Sequence, residues 1–247
     1  MLIDVHCHLD LLENIDKIIN ESRTGKNKFL IVTQGINPEN NRKALELSEK
    51  YKEVKCALGI YPEDAIKLSD KQISDELKFI EKNVKANKVI AVGEIGLDGT
   101  YSNIEKQKKV FREIVKLAVR LDIPVIVHSR KAETLCVEEL EKLKAKKVIM
   151  HCFSGNLNLV KRIAENGWFL SIPSNVIFST HFQEVVKIIK IDNLLCETDS
   201  PYLHPEKKFP NNPLNVIYSY KKISEIKKLS LDKVEKNIEN NFNRAFN

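Results

Sequence analysis

Cysteine is present but never spaced for bridging or metal capture. The five residues Cys7, Cys56, Cys136, Cys152 and Cys196 are odd in number and contain no CxxC. That excludes a disulfide framework and a zinc finger. Most lie inside apolar runs and read as buried free thiols, as expected in a reducing, cytoplasmic compartment. No stretch approaches the roughly 18 apolar residues of a membrane span. Asp4, His6 and His8 interrupt the start, where a secretory core would otherwise lie. Gly/Ser linkers, low-complexity tracts and fixed-period repeats are all missing, so one domain over residues 1–247 is expected. Charge of one sign is in small excess only: 40 Lys and Arg against 34 Asp and Glu leave a net +6. This balance is that of a lysine-rich solvated surface and not of a histone-like polycation. Nothing calls for a membrane or an obligate protein partner.

The rest is ordinary for a globular chain, with 43% hydrophobic and 30% charged residues, and the length suffices for a sizeable core. Eight short apolar runs follow one another: Leu2–Val5, Phe29–Thr33, Val54–Leu58, Val89–Val92, Ile123–Val127, Val148–Met150, Trp168–Ile172 and Leu194–Cys196. They are nearly continuous rather than alternating, which marks strands buried on both faces of a parallel sheet. Polar stretches of helical period lie between them, near 14–23, 39–51, 71–86, 132–144, 157–166, 180–190 and 214–228. The clearest places Val110, Ile114, Val115, Ala118 and Leu121 on one face. Residues 231–246 add a final helix. Eight βα units in this length predict an α/β fold, a TIM-like (β/α)8 barrel with an extra C-terminal helix. A doubly wound open sheet is the competitor. A closed ring is favoured because it alone brings the first and last strands together.

Histidine is scarce, with six residues, and four of them stand with two acids at strand ends: His6, His8, Glu94, His128, His151 and Asp199. All are types that bind borderline or hard divalent ions. His6 and His8 share a face under a strand period of two, with Cys7 opposite. They are either a ligand pair or partly exposed loop histidines. Glu94 ends a buried run and needs a partner, either bridged metals or a salt bridge across the barrel. His128 and His151 are each a core histidine or a ligand, and their equivalent placement on neighbouring strands favours ligands. Asp199 is suited to take a proton from bound water and return it to a leaving group, and Glu197 lies one pleat deeper. Together the set suits two divalent ions (Mg, Mn, Zn or Ni) about 3.5–4 Å apart that activate water. Arg130 is placed to hold a phosphate or carboxylate, or else to form an ion pair at the rim. His181, at a helix start, is expected at the surface. His204, after the last strand, is a candidate substrate contact.

Five segments carry a resemblance: Asp4-Val-His-Cys-His-Leu9, Gly93-Glu-Ile-Gly-Leu-Asp98, Pro124-Val-Ile-Val-His-Ser-Arg130, His151-Cys-Phe-Ser-Gly155 and Glu197-Thr-Asp-Ser-Pro-Tyr-Leu203. With them the chain resembles the TatD-like metal-dependent deoxyribonucleases of the amidohydrolase superfamily. The resemblance implies a TIM-like barrel and divalent-metal hydrolysis of phosphodiesters in DNA, from the 3′ end. It implies one metal on His6, His8, Glu94 and Asp199, a second on Glu94, His128 and His151, and proton transfer by Asp199. Departures fall among substrate contacts. Gly59-Ile-Tyr-Pro-Glu63 stands where the family commonly has Gly-x-His-Pro-His, and Phe209-Pro-Asn-Asn-Pro213 lacks the family's arginine. Tyr61 donates a hydrogen bond without charge, while Glu63 repels phosphate. Arg130, Tyr61 and His204 are therefore the expected substrate-binding residues, with Lys207 and Lys208 beside them. Lys142, Lys144, Lys146 and Lys147 precede the sixth strand and belong at the opposite barrel end. The rival substrate is an ester, a lactone or an aminoacyl ester on RNA.

Overall fold

The computed structural model describes residues 1–25 and 27–246. Strands and helices alternate in the order β1 (Leu2–Cys7), α1 (Ile15–Thr24), β2 (Phe29–Gln34), α2 (Pro38–Lys50), β3 (Val54–Leu58), α3 (Pro62–Lys67) and α4 (Asp70–Lys85). There follow β4 (Ala91–Gly96), α5 (Ile104–Leu121), β5 (Val125–His128), α6 (Glu133–Lys142), β6 (Val148–Met150), α7 (Leu157–Glu165), β7 (Phe169–Pro173), α8 (Thr180–Ile188) and β8 (Leu194–Glu197). The chain ends with α9 (Ile217–Lys227) and α10 (Leu231–Phe246). The eight strands form one parallel sheet in sequence order, the TIM-like (β/α)8 arrangement with a C-terminal helix. No helix among the described residues is long and apolar enough to cross a membrane.

The elements follow from local chemistry. Asn37 caps α2 through the Asn40 amide and Pro38 opens its first turn, where a missing N–H costs nothing. Ser69 and Gln72 make a capping box on α4. On α5, Val110, Ile114, Val115 and Ala118 of the predicted stripe are buried together with Phe111 and Leu117, while Leu121 is only partly buried. Each large side chain among them contributes about 1.5–3 kcal/mol on burial. Four cysteines are buried and all five are free, Cys152 being partly exposed.

Several boundaries differ from the sequence reading, two of them at the site. β4 runs to Gly96, so Glu94 lies within the strand and not past it. Glycines broke the apolar run, but pairing of Ile95 with Val127 and Gly96 with His128 extends the ladder. Gly96 has φ +146°, and a Cβ there would come within 1.9 Å of the His128 carbonyl oxygen. Only glycine admits that approach. β5 begins at Val125 and not Ile123, because the Ile123 amide closes the end of α5 on Ala118. The short helix α3 was not expected; Pro62 and the first-turn acids Glu63 and Asp64 set it up.

The ring closes between β1 and β8 without a regular ladder. The Asp199 amide donates to the His6 carbonyl at 2.9 Å and the His8 amide to the Ser200 carbonyl at 2.7 Å. Deeper in the seam, buried Asp4 accepts the Thr198 amide at 3.0 Å and the Thr198 hydroxyl at 2.5 Å. Tyr220 of α9 accepts the Ile3 amide at 2.9 Å from outside the seam.

Candidate metal centre

The carboxyl ends of the strands open onto a cavity of about 620 Å³ lined by His8, Tyr61, Glu94, His128, Arg130, His151 and Asp199, among others. Glu94 stands at its centre, 2% exposed. Its Oε2 faces His6 Nε2 at 3.5 Å and His8 Nε2 at 3.4 Å. Its Oε1 faces His128 Nδ1 at 3.1 Å and His151 Nε2 at 3.3 Å. Asp199 Oδ1 completes the first group, 3.5 Å from His6 Nε2 and 3.6 Å from His8 Nε2. The His6 and His151 rings stack across the division, centroids 3.8 Å apart. Thus all six sequence candidates converge, from β1, β4, β5, β6 and the turn after β8. Asp199 sits at a left-handed backbone position, φ +53°, in the turn after β8.

Donor chemistry fits a metal. Among the described residues, neither ring nitrogen of fully buried His6 has a hydrogen-bond partner, a costly state for polar atoms. A divalent ion would satisfy Nε2, the nitrogen that faces Glu94 and Asp199, and the ligand atoms of His6, Glu94 and His151, and of His6, His8 and Asp199, lie within 4.8 Å of one another. Burial works against charge on Glu94, yet His6, His151 and the hydrogen bonds of His128 hold its carboxyl well below the ordinary value. Burial likewise opposes charge on Asp199, and His8 outweighs it, so that carboxyl is also lowered. Both acids are anions at neutral pH.

Behind the rings stand more carboxylates. Asp98, fully buried, takes His128 Nε2 at 3.1 Å, Arg130 Nε at 2.9 Å, the Thr100 hydroxyl at 2.6 Å and Tyr61 Oη at 3.3 Å. Burial disfavours its charge, but His128, Thr100 and Arg130 lower its pKa. Glu197 lies behind His151, Oε2 to Nδ1 3.4 Å, and accepts the Ser171 hydroxyl at 2.5 Å. Such outer partners orient ligand imidazoles. Sequence reasoning placed Glu197 in this second rank but overlooked Asp98. Its signal was its place at the end of the matching segment Gly93-Glu-Ile-Gly-Leu-Asp98.

The expected substrate contacts divide. Tyr61 lines the cavity against His128, Oη to Nε2 3.3 Å. Arg130 also lines it, but its guanidinium is tied to Asp98 and Thr100, the rim ion pair rather than a free fork. His204 does not line the cavity; its Nδ1 accepts the Glu206 amide at 2.9 Å within its own turn. His181 is partly buried rather than on the surface, with Nε2 3.0 Å from the Phe153 carbonyl. Lys208 pairs with Glu206 at 2.6 Å, and Glu63 with Lys67 at 2.7 Å. Lys144, Lys146 and Lys147 line a separate hollow beside Val125, at the amino end of the barrel as expected.

A TIM-like barrel with this donor set defines a metal-dependent hydrolase. Residues 3–247 match the model of the family described as TatD related DNase, and the chain belongs to that family. An uncharacterised metal-dependent hydrolase of Methanocaldococcus jannaschii is 34% identical over 236 residues, covering 94% of this chain and 92% of its own. A human protein named deoxyribonuclease TATDN3 is 33% identical over 249 residues, covering 94% and 90%. Among solved structures, the TatD homologue YjjV of Escherichia coli superposes with a TM-score of 0.89 at 26% identity, covering 99% of this chain and 97% of that one.

Proposed function

We propose that this hydrolase is a deoxyribonuclease that cleaves phosphodiester bonds of DNA from the 3′ end, with two divalent ions. The observation that carries it is the division of Glu94, each oxygen facing its own pair of histidines. His6, His8, Glu94 and Asp199 would hold one ion, and Glu94, His128 and His151 the other. When bound, the ions supply a water of lowered pKa and positive charge opposite the phosphate. Asp199, anionic and at the cavity wall, would accept a proton from the attacking water and return it to the departing 3′ oxygen. Tyr61 donates a hydrogen bond at the β3 wall without bringing charge. The name of the human relative and the family description support a DNA substrate.

The test is a chelation and add-back assay on defined single- and double-stranded DNA, run beside ester substrates. Cleavage is expected to stop with chelator, to return with Mg, Mn, Zn or Ni, and to be lost in His128→Ala/Asp199→Ala protein. Full cleavage by that double variant overturns the proposal, and turnover of esters but not DNA replaces the substrate.

A further inference from the structure

Four of the large apolar side chains that reach solvent gather on one side of the mouth or next to it: Phe209 is 73% exposed, Tyr202 49%, Leu11 47% and Phe178 43%. Leu11 and Tyr202 line the cavity itself. The rings step outward from the metal-ligand candidates. His8 and Tyr202 have centroids 6.3 Å apart, and Tyr202 and Phe209 6.4 Å. Exposed aromatic rings on a loop are costly to keep unless something covers them.

This loop is held in place. Buried Asn211 staples its two limbs: its amide donates to the Pro201 carbonyl at 2.7 Å, and its side-chain amide to the Thr198 carbonyl at 3.0 Å and the Ser174 hydroxyl at 3.2 Å. The rings therefore project from a fixed base. The electrostatics of the mouth are lopsided. The β3 side presents Asp64 and Glu63, the latter paired with Lys67, while the loop side carries the Glu206–Lys208 pair and exposed Lys207, its Nζ 4.8 Å over the Phe178 ring. A polyanion is turned away from the first wall and accepted along the second.

We propose that Tyr202 and Phe209 form a stacking platform for the bases of a single-stranded DNA end whose phosphate lies at the metal centre. The inference rests on the nuclease reading and deepens it by naming the residues that hold the substrate's bases. Bases of a single strand expose their π-faces and stack on aromatic rings without sequence preference. In a duplex those faces are covered by neighbouring pairs, so only a frayed end can use the platform. A protein partner seated on these rings would close the cavity mouth, which leaves the substrate itself as the occupant.

The test uses metal-loaded enzyme and a phosphorothioate oligothymidylate that resists cleavage, with 2-aminopurine near its 3′ end. Stacking quenches this fluorophore. Quenching on binding is expected, with Kd raised about tenfold by Tyr202→Ala or Phe209→Ala and restored by Phe209→Tyr. A blunt duplex should bind more weakly and respond little to either change. Equal Kd for all variants, or binding without quenching, overturns the platform. A cleavable oligonucleotide separates the two ideas. Ring-dependent binding without cleavage keeps the platform and removes the nuclease. Cleavage with a KM indifferent to both alanine variants does the reverse.

Discussion

The two oxygens of Glu94 look into differently built halves of one site. On the Oε2 side, His6, His8 and Asp199 sit on the seam between β1 and β8, held by main-chain bonds and by Asp4 behind them. Neither ring nitrogen of His6 has a hydrogen-bond partner among the described residues. On the Oε1 side, His128 and His151 come from adjacent strands, and each has a carboxylate behind it, Asp98 or Glu197. One half is positioned by backbone closure and the other by carboxylates behind its rings, hydrogen-bonded to His128 and ion-paired with His151. Single substitutions should therefore separate the halves everywhere except at Glu94.

Glu94→Gln is the strongest way to break the comparison, because it strikes both halves at once. Turnover is expected to fall at least about a thousandfold, equivalent to several kcal/mol of transition-state stabilisation. Metal content, read by elemental analysis, should drop on both sides while circular dichroism stays native. A variant that keeps one ion at wild-type affinity would show that the halves are not bridged.

Asp98→Asn sharpens the comparison with a smaller effect. The amide keeps the shape but loses the charge that orients His128. Affinity for the ion on the His128 and His151 side should fall about 10–100-fold, with the His6 and His8 side unchanged. Calorimetric titration with Mn resolves the two classes. Equal losses on both sides would mean that the seam also depends on Asp98.

Much of this was legible in the residues. Continuous Val, Ile and Leu runs announced strands covered on both faces, and the barrel followed from their number. The six ligand candidates stood out because histidine is rare here and each candidate stands at or just past the end of an apolar run. What could not be read depends on the path of the chain after the strands. His204 lies five residues beyond Asp199, yet left-handed turns at Asp199 and Leu203, φ +53° and +52°, carry it off the cavity wall. Arg130 has the right position, but sequence alone could not show that Asp98 occupies its fork. The seam was invisible for the same reason: Asp4 and Thr198 are 194 residues apart.

The smallest effect concerns acid. Low pH will silence the site by protonating its ligands, and this must be told apart from loss of the fold. A structural carboxylate away from the site provides the reference. The Arg112 guanidinium holds the Glu139 carboxyl, itself buried, at about 2 against an ordinary 4.5. Its folded pKa is depressed, so its contribution is fully present above about 4.5 and is lost as pH falls toward 2. Glu139→Gln should lower Tm at pH 7 by about 2–4 °C for each kcal/mol removed, with the gap to wild type narrowing below pH 4.5. Activity per folded molecule should be unchanged at every pH. If the variant instead shifts the acid limb of activity, the acid response belongs to the fold, and the contrast between the two halves of the site must be measured above that limb.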